Sequence, residues 1–318
     1  MTFAIIGMIV LWNSPSAFQW VSVRLACLAT GMERREVTVD GHVIPYLERP
    51  AATPSAGGGA APATVLCLHG FGTSKESCFI LSQMAPGTRF IAPDLPPFGE
   101  SDPTAVPAYR PEDLVAYIDR FASAVEAQPA IVLGTSMGGA LAAAYAHSHP
   151  EAVTALILLA PAGVQAPTEN AFVRDARAGG NPLRIASEED LERVLGMVFS
   201  HPPATPAPIK AFLVEQALAT REARDRAADQ LGPWLLGDGI LASLADIQQP
   251  TMVVFGSEDR VIDPSCLPVF EGRLPNATCR LIPGAGHVVF ADAPLETRDA
   301  IASFLAALDL GSPTPAAR

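Results

Sequence analysis

IVLGTSMGGALAAAYAH, residues 131–147, decides how the rest of the chain is read. Ile131, Val132 and Leu133 form a short apolar run of strand-forming residues, and Met137 to His147 is rich in small helix formers. Between them, Gly134-Thr135-Ser136-Met137-Gly138 matches G-x-S-x-G, with Gly139 directly after. In a strand–turn–helix setting this pattern marks a sharp turn that raises a serine hydroxyl above the edge of a sheet. The two glycines give strained backbone the room it needs, and the helix N-terminus behind the serine favours developing negative charge. Ser136 is therefore the candidate nucleophile.

Outward from this turn, strand and helix patterns alternate. Thr64 to Leu68 (TVLCL) is a continuous apolar run, as expected of a strand covered on both faces. Further strands are expected near 90–92, 156–159, 252–255 and 279–282. Helices are expected over 111–127, where Pro111 takes a permitted first-turn position and Glu112 and Asp113 favour the dipole, and over 295–308. Asp40-Gly41 between two β-rich runs, 37–39 and 43–47, predicts a hairpin. The alternation predicts an α/β fold with a mostly parallel, doubly wound sheet. Residues 162–245 interrupt it without a convincing strand and read as an inserted helical cap, with helices over 172–178, 188–199 and 209–230 and a proline-rich break at 201–208. The core is then 31–161 together with 246–310, preceded by an apolar segment at 1–30. Residues 51–63 read as a flexible loop and 311–318 as a disordered tail.

Composition narrows the function classes. Hydrophobic residues make up 49% of the 318 and charged residues 17%, which excludes global disorder. Thirty-three acidic residues against 21 basic ones give −12, with no Lys/Arg cluster. Nucleic acid is therefore not an expected partner. The five cysteines form no C-x-x-C; Cys67 reads as a small core residue, and Cys266 and Cys279 could pair in an oxidising compartment. Thr2 to Val23 carries no charge, and a basic n-region for a secretory signal is absent before Arg24. Trp12 and Trp20 suit a headgroup boundary, so an interfacial anchor or a broken single span is expected, and with it membrane association; the alternatives are an N-terminal helix packed on a cytoplasmic or periplasmic domain, or an overlong start.

A serine hydroxyl is a weak nucleophile until a base takes its proton. His287, in Pro283-Gly284-Ala285-Gly286-His287, follows the last expected strand and is placed on a loop at its C-terminal end, where sites of open α/β sheets lie. His147 and His149 end the helix that Ser136 opens, too close in sequence to fold back onto it. The imidazole needs an acid to hold its tautomer. In GSEDRVIDP, residues 256–264, Asp259 is the first choice, with Asp263 and then Glu258 as alternatives. His69-Gly70-Phe71-Gly72 follows the 64–68 strand, so the backbone N–H groups of Phe71 and Met137 are expected to form an oxyanion hole, His69 serving as a structural hydrogen-bonding group. Asp94 and Ser101 are read as polar groups that shape a second loop. No metal or cofactor is expected: H-E-x-x-H, G-x-x-x-x-G-K-[ST] and G-x-G-x-x-G do not occur.

HGFG at 69–72, PDLPPFGES at 93–101, GTSMGG at 134–139, GSEDRVIDP at 256–264 and GAGH at 284–287 together resemble the α/β-hydrolase family across about residues 36–308. LHGFGTSKES, GTSMGGALAAAYAHSHPEAV, the PAGVQ segment at 161–165 and the apolar N-terminus running into GMERREV resemble more narrowly the membrane-anchored monoacylglycerol lipases of the ABHD6 kind and related bacterial lipases and esterases. The resemblance implies Ser136 as nucleophile, Asp259 as acid, His287 as base, and a cap that lines an acyl pocket.

The expected activity is hydrolysis of a small-molecule or lipid ester, monoacylglycerol-like, through an acyl-enzyme. A C–C bond hydrolase or an amidase could use the same triad, and a non-catalytic binding protein of the same fold is the third alternative. A pure binder has no need of an aligned Asp and His, and dehalogenases and epoxide hydrolases of this fold carry Asp where Ser136 stands.

Overall fold

The computed structural model describes residues 15–52 and 63–308. The expected tail, most of the 51–63 loop and the apolar stretch before Pro15 lie outside the described residues.

Eight strands form one sheet: β1 (Glu33–Val39), β2 (His42–Arg49), β3 (Thr64–Leu68), β4 (Arg89–Pro93), β5 (Ala130–Thr135), β6 (Val153–Leu159), β7 (Thr251–Gly256) and β8 (Ala277–Ile282). Their spatial order is β1-β2-β4-β3-β5-β6-β7-β8. The pairings from β4 through β3 to β8 are parallel, whereas β1–β2 and β2–β4 are antiparallel. The hairpin turns at Asp40 and Gly41, both at positive φ, as a two-residue primed turn requires.

Alternate side chains explain the unbroken apolar runs. Val65 and Cys67 on β3, Ile131 and Leu133 on β5, and Met252 and Val254 on β7 join one core. Leu66 and Leu68, Val132, and Val253 and Phe255 join the other. Each central strand is thus apolar on both faces because helices cover both.

In chain order the helices are α1 (Pro15–Thr30), α2 (Cys78–Met84), α3 (Pro111–Ala124), α4 (Met137–Ser148), α5 (Ala171–Arg177), α6 (Glu188–Val198), α7 (Ala207–Ala219), α8 (Arg221–Leu235), α9 (Leu267–Arg273), α10 (Val289–Asp292) and α11 (Pro294–Ala307). Helices α5 to α8 lie between β6 and β7 and make the cap. The single helix expected at 209–230 is in fact two, broken at Thr220. Thr220 leaves the helical range, at φ −106 and ψ 10, while its hydroxyl donates to the Gln216 carbonyl at 2.8 Å. Short α2, α9 and α10 were not expected from the sequence; each spans two turns or fewer, too short for a periodic pattern.

α1 packs on α2 and on cap helix α7. Val23 reaches the core, while Trp20, Leu25 and Leu28 face solvent. No helix among the described residues is long and apolar enough to cross a membrane. All five cysteines are free; Cys266 instead donates to the Val164 carbonyl at 3.4 Å, so the suggested pairing with Cys279 is not formed.

Candidate active site

Ser136 sits where β5 passes into α4, at φ 52 and ψ −116, a left-handed backbone strained for a side chain with a Cβ. The glycines around it permit this by close approach. A Cβ on Gly134 would lie 2.2 Å from the Gly138 carbonyl oxygen, and one on Gly138 would lie 2.1 Å from that of Leu68. Only hydrogen fits at either position. The Ser136 N–H donates to Leu159 O at 2.9 Å and its carbonyl accepts from Ala140 and Ala162, which pins the strained residue from both sides.

Asp259 and His287 are brought together by the loops after β7 and β8. His287 Nδ1 lies 2.8 Å from Asp259 Oδ2. The other carboxylate oxygen accepts the N–H groups of Val261 at 2.8 Å and Ile262 at 3.0 Å. Asp259 is fully buried at its side chain and His287 is 9% exposed. A carboxylate only accepts, so the imidazole donates from Nδ1 and leaves Nε2 as the basic nitrogen. Asp263, the first alternative, does something else: it accepts from Ser265 N–H at 2.9 Å and caps the short turn at Pro264–Cys266. Glu258 is exposed. Among the described residues no hydrogen bond joins Ser136 Oγ to His287; such contacts are often looser without substrate.

The loop after β3 passes beside the serine. A Cβ at Gly70 would touch Ser136 Cβ at 3.5 Å. Phe71, Ser136 and Met137 line one cavity of about 540 Å³, and among the described residues no acceptor engages the N–H of Phe71 or of Met137. The rest of the cavity wall comes mainly from the cap, including Phe172, Leu183, Leu235 and Leu236, with Val261 and Ile262 from the core. Arg184 and Asp225, paired at 3.0 Å, stand at its polar side.

His69 is the structural group expected. Its Nδ1 lies 2.9 Å from Gly70 O, and its Nε2 accepts Leu95 N–H at 2.9 Å. It therefore ties the 69–72 loop to the 94–101 loop. Complete burial pushes its pKa down to about 4, so it stays neutral. Asp94 shapes the second loop by accepting Lys75 N–H and Glu100 N–H. Burial lifts Asp94 to about 6, with the Lys75 charge pulling the other way. Ser101 donates to Phe98 O at 2.7 Å within the same loop.

Three residues around the site were missed in the sequence. Lys75 is buried, with its ammonium 2.6 Å from Asp94 and 2.7 Å from Glu100. Burial alone would favour the neutral amine, but Asp94, Glu76 and Glu100 hold its pKa above the ordinary lysine value. Asp292 accepts N–H groups from Gly286 and Ser200, and so ties the loop of His287 to the cap. Arg224 joins the cap to the loop of Phe71. No group of His, Cys, Asp and Glu suited to a metal is found among the described residues.

Comparison with known proteins identifies the fold family. The model of the α/β-hydrolase fold family matches residues 63–294. The chain belongs to the α/β-hydrolase fold family. As an α/β hydrolase it is 29% identical over 256 residues to Lipase 1 of Psychrobacter immobilis, covering 79% of this chain and 80% of that one. It is 24% identical over 317 residues to the human monoacylglycerol lipase ABHD6, covering 96% and 91%. Among solved structures, one described as a membrane phospholipase A, a bacterial virulence factor, superposes with a TM-score of 0.83 at 29% identity, covering 96% and 98%. These lipase-type relatives support ester hydrolysis in the broad sense for this α/β hydrolase.

Proposed function

We propose that the chain is a serine ester hydrolase that works through an acyl-enzyme on lipid-like carboxylic esters, monoacylglycerols among them. The observation that carries this reading is the grouping, in one cavity wall, of the left-handed Ser136 with two backbone N–H groups, Phe71 and Met137, that no acceptor among the described residues occupies. Ser136 Oγ attacks the ester carbonyl while His287 Nε2 takes its proton, Asp259 stabilising the imidazolium. The two N–H groups hold the tetrahedral oxyanion, each such donor typically contributing about 2.7–4 kcal/mol to the transition state. His287 then protonates the departing alcohol, and a water molecule, deprotonated by His287, releases the acid.

The lipid-like acyl group rests on the cavity. About 540 Å³ lies within the range of small-ligand sites, and its cap side is largely aliphatic and aromatic. The exposed Trp20, Leu25 and Leu28 of α1 support holding the enzyme against a lipid surface.

A fluorophosphonate probe and a graded ester series test the proposal together. Wild type is expected to be labelled, and Ser136→Ala to lose both label and turnover; an active Ser136→Ala protein refutes the nucleophile. With p-nitrophenyl esters and monoacylglycerols of increasing acyl length, kcat/KM is expected to rise by up to about fourfold per methylene until the cavity is full. A flat or falling series refutes the lipid-like substrate.

A further inference from the structure

Among the described arginines, burial lowers the pKa of two, Arg49 and Arg224, and of these Arg224 stands beside the candidate site. It is on cap helix α8, and its guanidinium is largely withdrawn from solvent. Among the described residues no carboxylate forms an ion pair with it; neighbouring Asp225 is engaged by Arg184 and Arg221. The side chain is half-buried, and with no carboxylate paired to it the groups it touches are what offset its partial desolvation.

What it touches is the loop of the oxyanion hole. Its Nη2 donates to Gly72 O at 3.1 Å, across 152 residues of chain. Its guanidinium lies over the Phe98 ring at 5.7 Å. Phe98 in turn packs edge-on against Phe71 at 4.8 Å and against His69 at 6.0 Å. Gly72 is at φ +76, and a Cβ there would come within 2.8 Å of Arg224 Nη2, so the glycine makes the space the guanidinium fills. Phe71 lies between two glycines, Gly70 and Gly72, whose backbone has little stiffness of its own.

We propose that Arg224 is a positioning residue for catalysis: from the cap it clamps the Gly70–Gly72 backbone so that the Phe71 N–H points at the developing oxyanion. This rests on the serine-hydrolase reading above. The cap then does more than line a pocket; the oxyanion hole is complete only while α8 is seated on the 69–72 loop.

The test measures kcat and KM on p-nitrophenyl butyrate for the full chain as wild type, Arg224→Met and Arg224→Lys, each corrected for active sites titrated with a fluorophosphonate. Methionine keeps the packing volume and loses the donor. For Arg224→Met, kcat is expected to fall about 10- to 100-fold with KM within twofold, the size of loss that misplacing one reacting group produces. Inhibition by an alkylboronic acid, whose adduct with serine mimics the tetrahedral state, is expected to weaken in step with kcat. Arg224→Lys can reach Gly72 O without lying flat on Phe98, and is expected to recover part of the loss.

A folded Arg224→Met protein with wild-type kcat per titrated site overturns the proposal, whatever its melting temperature, and so does a loss confined to KM. If Arg224→Met does not fold, Arg224→Leu, which likewise lacks the donor, decides instead: kcat per titrated site reduced severalfold at constant KM supports the clamp, and an unchanged kcat overturns it. Wild type that is neither labelled nor active overturns the serine-hydrolase reading and this inference with it. An active wild type with an unimpaired methionine variant overturns this inference only.

Discussion

Helices α4 and α7 are built from similar residues and treated in opposite ways. MGGALAAAYAHS and APIKAFLVEQALA are both rich in apolar residues, the second interrupted by Lys210, Glu215 and Gln216. In α4 nearly every residue from Met137 to Ala146 is buried, whereas in α7 only Pro208 and Ala217 are. A helix apolar all round is expected to be buried or to meet lipid. α4 meets the first condition, because small side chains let it lie directly on the sheet. α7 does not: Ile209, Phe212 and Leu213 are half-buried, Leu218 is exposed, and α1 lies beside it with its own exposed Trp20, Leu25 and Leu28. Apolar surface that is buried against the sheet in one helix is left partly exposed on the cap in the other.

The same contrast holds between glycines. Gly138 in α4 has the Leu68 carbonyl oxygen 2.1 Å and the His69 carbonyl oxygen 2.6 Å from where a Cβ would stand. Both are backbone atoms of the strand end that leads into the 69–72 loop, and they cannot rotate away as a side chain could. Gly138→Ala is expected to be the most damaging single-methyl change of the set: either no folded protein accumulates, or the elbow is displaced and ester turnover falls by more than about 100-fold. Circular dichroism and turnover on a short soluble ester check it. A folded variant with wild-type kcat would break the comparison at its stronger end.

The two regions also differ in how far they could be read without coordinates. Ser136, His287 and the 69–72 loop stand in glycine-flanked motifs at the ends of apolar strands, so local pattern locates them. Asp259 and Asp263 lie four residues apart in one loop, and only their partners, His287 for one and Ser265 N–H for the other, separate them. Lys75, Arg224 and Asp292 leave no local trace. Each has a partner far along the chain, 19, 152 and 92 residues away, and a lone charged residue in sequence looks like any solvated one. In the cap, the break is a departure of one residue's backbone, Thr220 at φ −106 and ψ 10, that helix propensity does not register.

His69 offers a way to sharpen the comparison on the core side through pH. Its folded pKa is near 4 against an ordinary 6.5, because burial disfavours the imidazolium. The unfolded chain therefore binds the proton more readily. The contribution of neutral His69 is fully present above about pH 6.5 and is lost as pH falls from 6.5 toward 4, by up to about 3 kcal/mol. His69→Asn keeps a donor toward Gly70 O but leaves Leu95 N–H without its acceptor, so it should be less stable at pH 7 by roughly 1–3 kcal/mol. Its stability should then decline less steeply than wild type between pH 6.5 and 4. Other groups that titrate there, Asp94 among them, cancel in the difference if their environment is unchanged. Urea unfolding at a series of pH values measures it, and parallel curves for the two proteins would show that His69 titrates as an ordinary histidine.

The smallest expected effect lies in the cap and has the opposite sign. Gly196 sits inside α6, and a Cβ there would meet nothing within 4 Å. Its carbonyl accepts from Arg260 at 3.1 Å, a contact that a methyl group on the Cα does not disturb. Glycine in a helix interior loses more backbone freedom on folding than alanine does. Gly196→Ala should therefore stabilise the protein by about 0.5–1 kcal/mol, seen as a higher urea midpoint at unchanged slope. Gly196 is not part of the cavity wall, so turnover of both short and long esters should stay within twofold. One added methyl is thus expected to be intolerable where α4 meets the sheet and mildly favourable on α6. If Gly196→Ala were destabilising, α6 would have to pack more tightly than its open surroundings indicate, and the cap would obey the same close-packing rule as the elbow.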